Sequence, residues 1–369
     1  MGISETYSRG RNLAVSRPFV LVAVAVVAIL TLDIGRRLAA PGGLTSAQLA
    51  TFLWEGLVVG LSIGLAGVGL SMTYSILNFA NFGHGDYVTS GAFAGWAVTW
   101  LFAGAGQFDL ATLLFIGSVS TRDLGVSMLE TPLAILAGLI VAAAATIGLS
   151  LLIDRLVYKP MRDDEGISLL IASIGVALAL RYTIFIVFGQ RTRGLTDAQS
   201  VPEFAIPVGG GGTLDVGGHE LTLVVIAAAL MLGVHLLLQT TKLGKAMRAM
   251  ADNEDLAQVT GIPTERVVRF TWIIGGGLAG ASGFLIALER GAMNFQFGWI
   301  LLLMIFAAVI LGGIGSIYGA MFGGVTIGIA QNLSLVWIPS EFSTVAAFGV
   351  MIVVLLFKPD GLFSGVTTA

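Results

Sequence analysis

The sequence predicts an all-α membrane protein, a polytopic transmembrane helix bundle of about 8–10 spans. Hydrophobic residues make up 56% of the 369 residues and charged residues only 11%, where a soluble domain carries roughly 25% charged residues. The mean hydropathy is +0.92. Apolar runs of about the length that crosses a bilayer recur along the chain. These observations exclude a soluble enzyme and a disordered chain.

Charge and cysteine content exclude further classes of protein. The net charge of −3 provides no basic surface for nucleic acid. The sequence has no cysteine, which excludes disulfides and thiolate metal sites. Its three histidines lie far apart, so we expect no metal site and no cofactor bound by this chain.

The segments predicted to span the membrane are, in chain order, 18–34, 54–76, 87–105, 132–153, 168–188, 221–239, 270–289, 297–312, 317–337 and 342–357. The first, eighth and tenth are short, hence the range in the expected count. The first follows Arg9, Arg11 and Arg17, so an ordinary first helix and a cleaved signal peptide ending near residue 40 both stay open. Alternating spans place about twice as many Lys and Arg residues on the N-terminal side, which favours both termini in the cytoplasm.

Long polar stretches separate the spans at 106–131, 189–220 and 240–269. The second contains four consecutive glycines and is expected to be an irregular loop or a hairpin. The third is the most polar stretch on the inner side. Its residues 242–250 predict a short amphipathic helix and residues 253–259 a second, which Gly-Ile-Pro then ends. This helical loop would offer a rigid surface to a cytoplasmic partner, and the alternative is a solvated loop with interfacial helices.

Residues 81–86 place polar side chains between two apolar spans. Asn81, His84 and Asp86 are expected to break or cap a helix, and broken helices at membrane depth bind solutes in transporters. The alternative is a short turn in which Asp86 caps the next helix and His84 makes a packing hydrogen bond. Arg181 lies deep in its span and is expected to be a partnered or pathway charge.

Glycines spaced by four residues predict faces where helices cross closely. The face singled out is formed by Gly315, Gly319 and Gly323. The same spacing recurs at other places, which are Gly60 and Gly64, Gly91 and Gly95, and Gly276 and Gly280.

Five motifs occur in a fixed order: 81–86 (Asn-Phe-Gly-His-Gly-Asp), 154–162 (Asp-Arg-Leu-Val-Tyr-Lys-Pro-Met-Arg), 243–267 (beginning Leu-Gly-Lys-Ala-Met-Arg-Ala), 307–320 (with Leu-Gly-Gly-Ile-Gly-Ser) and 358–363 (Lys-Pro-Asp-Gly-Leu-Phe). Together they resemble the ABC importer permeases of the branched-chain amino-acid type, the LivH-like subfamily. By this resemblance, 46–369 is the permease domain with a coupling loop at 240–269. Residues 1–45 are an N-terminal extension with one extra transmembrane helix, and 106–131 looks like an insertion.

The resemblance implies a transmembrane permease subunit of an ATP-driven importer for branched-chain or other neutral amino acids, in the cytoplasmic membrane of a prokaryote. It implies two ABC ATPase subunits, a second permease of related type and an extracytoplasmic solute-binding protein as partners. The chain itself is expected not to be an enzyme, because its Gly244-Lys245 is followed by alanine and forms no P-loop, so ATP is used by the partners.

The position of polar residues within or between the spans makes Asn81, His84, Asp86 and Arg181 the expected substrate pathway, although Arg181 departs from the family pattern. The resemblance implies ATPase-coupling residues in the loop at 240–269, expected at Gly244, Arg248, Ala249, Asp252, Ala257 and Gly261. Arg248 and Asp252 are expected to pair across the interface with the ATPase. Two alternatives stay open: the same type of importer for urea or short amides, and an ion-coupled secondary transporter. The latter needs matched broken helices, and the sequence offers one candidate.

Overall fold

The computed structural model describes residues 18–116, 119–162, 164, 166–197, 199 and 201–363. The expectations for Arg9, Arg11 and Arg17 therefore lie outside the described residues. The helices are, in chain order, α1 Pro18–Ala39, α2 Ser46–Leu77, α3 His84–Ala103, α4 Thr121–Leu124, α5 Pro132–Ile153, α6 Gly166–Phe188, α7 Gly218–Thr240, α8 Lys242–Asp252, α9 Glu254–Val259, α10 Thr264–Arg290, α11 Phe297–Gly312, α12 Ile317–Leu333 and α13 Ser343–Phe357. Helix α5 continues through a π-helical turn, Asp154–Tyr158, and a 3₁₀ turn, Lys159–Met161.

The all-α class is confirmed, and every predicted span coincides with a helix. Within the described residues, 7 helices are long and apolar enough to cross a membrane, namely α2, α5 with its continuation, α6, α7, α10, α12 and α13. The other three predicted spans correspond to α1, α3 and α11. Helix α11 has only 16 residues, and α3 begins with the polar sequence His-Gly-Asp.

Helices α2 and α10 form the centre of the bundle and are mostly buried within the chain. Helix α2 packs along α12, α10 and α11, whereas α10 also packs along α5 and α3. The two central helices are joined where the Ser282 hydroxyl donates to the Ser62 carbonyl at 3.1 Å. Helices α6, α7 and α13 present most of their apolar side chains outward, as expected for surfaces that contact lipid or another transmembrane subunit.

Glycines allow the central helices to approach closely. Gly324 of α12 lies against Gly64 of α2, and Gly91 of α3 lies against Gly280 of α10. A Cβ at Gly324 or Gly91 would overlap the backbone of the facing helix, and one at Gly280 would overlap α5. Because lipid removes most of the hydrophobic drive for helix association, such close van der Waals contact is a main source of stability.

Of the three glycines predicted to form one face of a helix, two lie in α12. Gly319 packs against Gly312 and Gly323 against Ala308, both on α11. Gly315 instead lies in the turn before α12, with φ +84°. The spacing of four is therefore coincidental there, and the left-handed backbone of the turn explains the glycine.

Replacing Gly324 by leucine is expected to prevent normal packing of α12 on α2. Overpacking of a close contact typically costs 1–3 kcal/mol, and here backbone as well as side chains would have to move, so we expect about 3 kcal/mol. The melting temperature of each purified variant, determined by size-exclusion chromatography after heating, measures the effect. Gly349→Leu on the outward α13 is the matched control, because no described atom beyond its own stretch of helix lies within 4 Å of a Cβ built there. Equal melting of the two variants would contradict this packing.

One end of the bundle, here called the hairpin end, carries residues 104–131, 189–217 and 291–296. The second of these stretches forms the expected hairpin, in which β2 (Glu203–Val208) pairs antiparallel with β3 (Gly212–Gly217). The Glu203–Gly217 and Val208–Gly212 pairs mark the two ends of this ladder.

Main-chain hydrogen bonds tie the hairpin end together. Strand β1 (Arg193–Gly194) pairs antiparallel with β4 (Ala292–Met293), which joins the loop after α6 to the loop after α10. Two tryptophans of α3 reinforce this bridge: Trp96 Nε1 donates to the Gly194 carbonyl at 2.9 Å, and Trp100 Nε1 donates to the Leu195 carbonyl at 3.3 Å.

The opposite end, here called the coupling end, carries residues 154–164 and 240–263. The two predicted short helices are present as α8 and α9. Thr241 caps α8 through its side chain, and Asn253 caps α9 in the same way, accepting from the Leu256 N–H at 2.8 Å. After α9, Gly261 takes φ +87°, which ends the helix before Pro263.

Candidate functional site

The chain leaves the helical conformation between α2 and α3. Helix α2 ends at Leu77, and Asn78 adopts a left-handed backbone with φ 53°. Helix α3 begins at His84, after Gly83 as its N-cap residue. Asn78 is exposed, whereas Phe79, Asn81 and Gly83 are buried, so the predicted helix break is present and its central part is packed inside the protein.

Protein groups satisfy several polar atoms of the break. Asn81 Oδ1 accepts from the Gly83 N–H at 3.0 Å and from the Tyr158 hydroxyl at 3.2 Å. The Phe82 N–H donates to the Ser173 hydroxyl at 3.0 Å, which attaches the break to α6. The non-helical backbone is thus held by side chains from α5 and α6, as backbone at membrane depth requires.

His84 is fully buried and joins α3 to the central helix α2. Its Nε2 lies 2.9 Å from the Ala66 carbonyl, so this nitrogen carries the proton and donates. The ring also approaches Tyr87, with ring centroids 6.4 Å apart. This geometry agrees with the packing role that the sequence left open for His84.

Asp86 and Arg181 form a buried ion pair between α3 and α6. Arg181 Nη2 lies 2.8 Å from Asp86 Oδ2, and Nε lies 3.2 Å from Oδ1, so the contact is bidentate. The guanidinium also lies over the Trp299 ring, 4.2 Å from its centroid. The start of α3 has no side-chain cap hydrogen bond, and the Asp86 carboxylate binds Arg181 instead, contrary to the turn alternative.

Aromatic side chains surround the break on the side of the coupling end. Tyr158 stacks on Trp272, with centroids 5.2 Å apart and planes 5° apart. Phe79 also packs against Tyr158, with centroids 5.2 Å apart, and Tyr87 meets Trp272 edge-on, at 6.4 Å. Sequence reasoning missed this cluster. Of its members, only Tyr158 lies in one of the sequence motifs, the one at 154–162, and the sequence analysis assigned no role to it.

A cavity of about 430 Å³ opens below this cluster at the coupling end. Phe79 and Tyr158 line its inner part, with Ile76 and Leu169 beside them. Its outer part is charged, with Glu254 on α9 and residues of the α5 continuation. The cavity thus leads from the coupling helices towards the buried break, and Tyr158 lies between the two.

Ion pairs hold the coupling end together. Glu265, at the start of α10, binds both Lys159, at 2.9 Å, and Arg162. Arg162 also binds Asp154 through two hydrogen bonds at 2.9 and 2.8 Å. These pairs connect the end of α5 to α10 and surround the mouth of the cavity. Lys159 and Glu265 are more than half exposed.

The residues predicted for ATPase coupling divide into two groups. Gly244 is buried where a Cβ would meet the last carbonyls of α7, and Ala257 is buried against the bundle. Arg248 donates to the Leu238 carbonyl at the end of α7, so its side chain is engaged within the chain. These three position α8 and α9, and the guanidinium of Arg248, which was expected to pair across the interface with the ATPase, is bonded within the chain.

The other three predicted coupling residues lie nearer the surface: Ala249 is half-buried, and Asp252 and Gly261 are exposed. Two apolar side chains of α9 are largely exposed, Val259 at 79% and Leu256 at 59%. Exposed apolar side chains on a polar, capped helix are typical of a contact surface for a partner. We call Leu256 and Val259 the α9 contact pair.

The described residues contain no group of three or more His, Asp or Glu side chains that could hold a metal ion. The groups that the structure brings together around the break are hydrogen-bonding, aromatic and ion-paired side chains.

Comparisons with known proteins agree with the motifs. A family model described as the permease component of the branched-chain amino acid transport system matches residues 52–355. The chain is 28% identical to the high-affinity branched-chain amino acid transport system permease protein LivH of Salmonella typhimurium, covering 86% of this chain and 97% of that protein. No solved structure matches the chain at a significant level.

Two further relatives are similar to this chain over most of their length. The permease protein BraD of Pseudomonas aeruginosa is 28% identical, covering 84% of this chain and 94% of that protein. The probable branched-chain amino acid transport permease protein LivH of Methanocaldococcus jannaschii is 29% identical, covering 91% of this chain and 95% of that protein.

Proposed function

Because the chain belongs to the permease family of branched-chain amino acid transport systems, we propose that it imports branched-chain or other neutral amino acids. In this proposal solute passes from the hairpin end to the coupling end by alternating access. Asn81, His84, Asp86 and Arg181 belong to the moving machinery around the pathway.

As a member of this family the chain is a multi-pass membrane protein and the transmembrane subunit of an ABC transporter. ATP is hydrolysed in separate subunits, and subunits of this family bind no cofactor themselves. The finer composition belongs to the proposal: two ATPase subunits, a second permease of related type and an extracytoplasmic solute-binding protein. So does the division into an extension at 1–45 and a permease domain at 46–369.

The observation that carries the coupling part of the proposal is the exposed pair of helices α8 and α9. They are fixed to the bundle by buried Gly244 and Ala257, and they present the α9 contact pair outward. A displacement imposed on this surface reaches α7 and α10 directly, since α8 follows α7 and α9 precedes α10. The charged mouth of the cavity lies beside the same surface.

Reconstituted transport tests the substrate. The transporter, co-expressed with its ATPases and partner permease, is placed in liposomes with ATP at the coupling end and binding protein outside. We expect uptake of labelled leucine that requires both ATP and binding protein, and that unlabelled valine or isoleucine suppresses. Suppression by urea or acetamide instead would favour the amide importer. Uptake driven by an ion gradient without ATP would contradict the ABC mechanism.

A further inference from the structure

A second cavity at the coupling end, of about 910 Å³, lies between the end of α5 and the start of α10 and is here called the basic cavity. Positive charge is in excess on its walls, because four cations and two carboxylates of the described residues line it. These residues are Arg155, Lys159, Arg162, Arg269, Asp154 and Glu265. Like charges that line a concave surface of low dielectric concentrate the field there, so the basic cavity attracts anions.

Two of the four cations are available to an external anion. The carboxylates of the lining are already bound by the other two, since Lys159 and Arg162 bind Glu265 and Arg162 also binds the second carboxylate. Arg155 is exposed and makes no ion pair or hydrogen bond within the described residues. Arg269 is exposed as well and makes no ion pair there, although its charge acts on Glu265.

The wall that α5 contributes continues into an apolar strip on the outside of the bundle. Leu152 and Leu156 are 52% and 65% exposed, and both lie on the helix face of Arg155. Further along this face, towards the middle of the helix, no atom beyond its own stretch of helix lies within 4 Å of a Cβ built at Gly148. The rise from Gly148 to Arg155 is roughly 10 Å, at 1.5 Å per residue. This strip can therefore contact an acyl chain.

The basic cavity also lies at the depth of lipid headgroups. Arg155 is in the last turns of α5 with its continuation, a helix long and apolar enough to cross a membrane, and Arg269 is in the second turn of α10, another such helix. Cations at the ends of membrane-spanning helices lie near the membrane surface, where they meet lipid phosphates. A guanidinium matches the geometry of phosphate oxygens, and the apolar strip beside it favours a lipid over an acidic protein.

We propose that the basic cavity binds the phosphate of an anionic phospholipid. The headgroup lies between Arg155 and Arg269, and an acyl chain follows the strip of α5 past Leu152. A lipid in this position connects α5 to α10 at the coupling end, next to the ion pair of Lys159 with Glu265. The inference depends on the chain spanning a membrane and not on the solute that it carries.

The test measures the melting temperature of the purified full chain in detergent, by size-exclusion chromatography after heating. Dioleoylphosphatidylglycerol, which is anionic, is compared with dioleoylphosphatidylcholine, which has the same chains and no net charge. We expect phosphatidylglycerol to raise the melting temperature, because a ligand that binds only the folded state stabilises it. Phosphatidylcholine at the same concentration is expected to have no comparable effect. Native mass spectrometry should detect bound phosphatidylglycerol in the same samples.

The double variant Arg155→Gln with Arg269→Gln removes both available cations. Because both side chains are exposed and unpaired, its melting temperature without lipid should stay close to that of the wild type. The concentration of phosphatidylglycerol that gives half-maximal stabilisation should rise about thirty-fold, at about five-fold for each cation near an anionic lipid. Lys242→Gln with Lys245→Gln is the matched control, since these exposed cations of α8 do not line the basic cavity, and it should respond as the wild type does.

Equal stabilisation by the two lipids, or by neither, would overturn the anionic headgroup. An unchanged response of the double variant would overturn the site. Stabilisation by inorganic phosphate at the concentrations of lipid used would assign the cavity to free phosphate and overturn the lipid. Failure of the double variant to co-purify with the ATPase, with its response to phosphatidylglycerol unchanged, would assign this surface to the protein partner instead.

Discussion

Arg181→Gln is expected to be strongly destabilising and to abolish transport. The substitution leaves the Asp86 carboxylate buried without its cation, and breaking a buried ion pair by removing one partner typically costs about 3–5 kcal/mol. It also removes the cation that lies over Trp299. We expect poor recovery of folded protein and a lower melting temperature in detergent, measured by size-exclusion chromatography after heating.

The double variant Asp86→Asn with Arg181→Gln separates stability from function. It removes both charges, so neither remains unpaired, and the two amides can still bond to each other. We expect folding to be largely restored. Recovered folding with absent uptake would support a role of the pair in the pathway, whereas recovery of both would limit it to structure. Wild-type melting of Arg181→Gln alone would contradict the importance of the pair.

Val259→Asp is expected to leave the permease folded and to weaken its binding to the ATPase. The side chain is 79% exposed, so the change disturbs no internal contact. In an assembled transporter it would place a charge in the apolar contact with an ATPase. Loss of a central contact residue commonly costs about 2 kcal/mol, which is about thirty-fold in affinity.

Co-purification of the ATPase with tagged permease measures this effect, and ATP-dependent uptake should fall in parallel. Leu110→Asp is the matched control, since it also places a charge at an exposed apolar position, but at the hairpin end. That variant should retain the ATPase. If Val259→Asp retained it equally well, the α9 contact pair would not be the docking surface.

The secondary structure was largely predictable, because its signals are local. Glycine and proline after residue 260 mark the end of α9, and four consecutive glycines mark the hairpin turn. Gly315 shows the limit of such signals: a spacing of four residues is the same in a helix and in a turn. Only the backbone conformation, with φ +84°, distinguishes the two cases.

The partners within the site were not predictable, because they are determined by tertiary packing. The sequence indicated that Arg181 needs a partner, yet Asp86 lies far away along the chain and on a different helix. Trp272 offered no motif at all, and its contact with Tyr158 depends on α10 crossing α5. Half-buried Arg248 likewise binds a carbonyl of α7 that a sequence pattern cannot specify.

The two ends of the bundle contain charged and neutral contacts in different proportions, so dissolved salt is expected to affect them unequally. Exposed charge pairs such as Lys159 with Glu265 are screened over a Debye length of about 8 Å at physiological ionic strength. The hairpin end has one exposed pair, Arg122 with Asp197 at 3.3 Å, and otherwise uses indole and strand hydrogen bonds at Gly194 and Leu195 that involve no net charge. We therefore expect higher ionic strength to weaken the coupling end more than the hairpin end. A turnover rate that rises steeply with salt would then indicate that the coupling end opens in the slowest step.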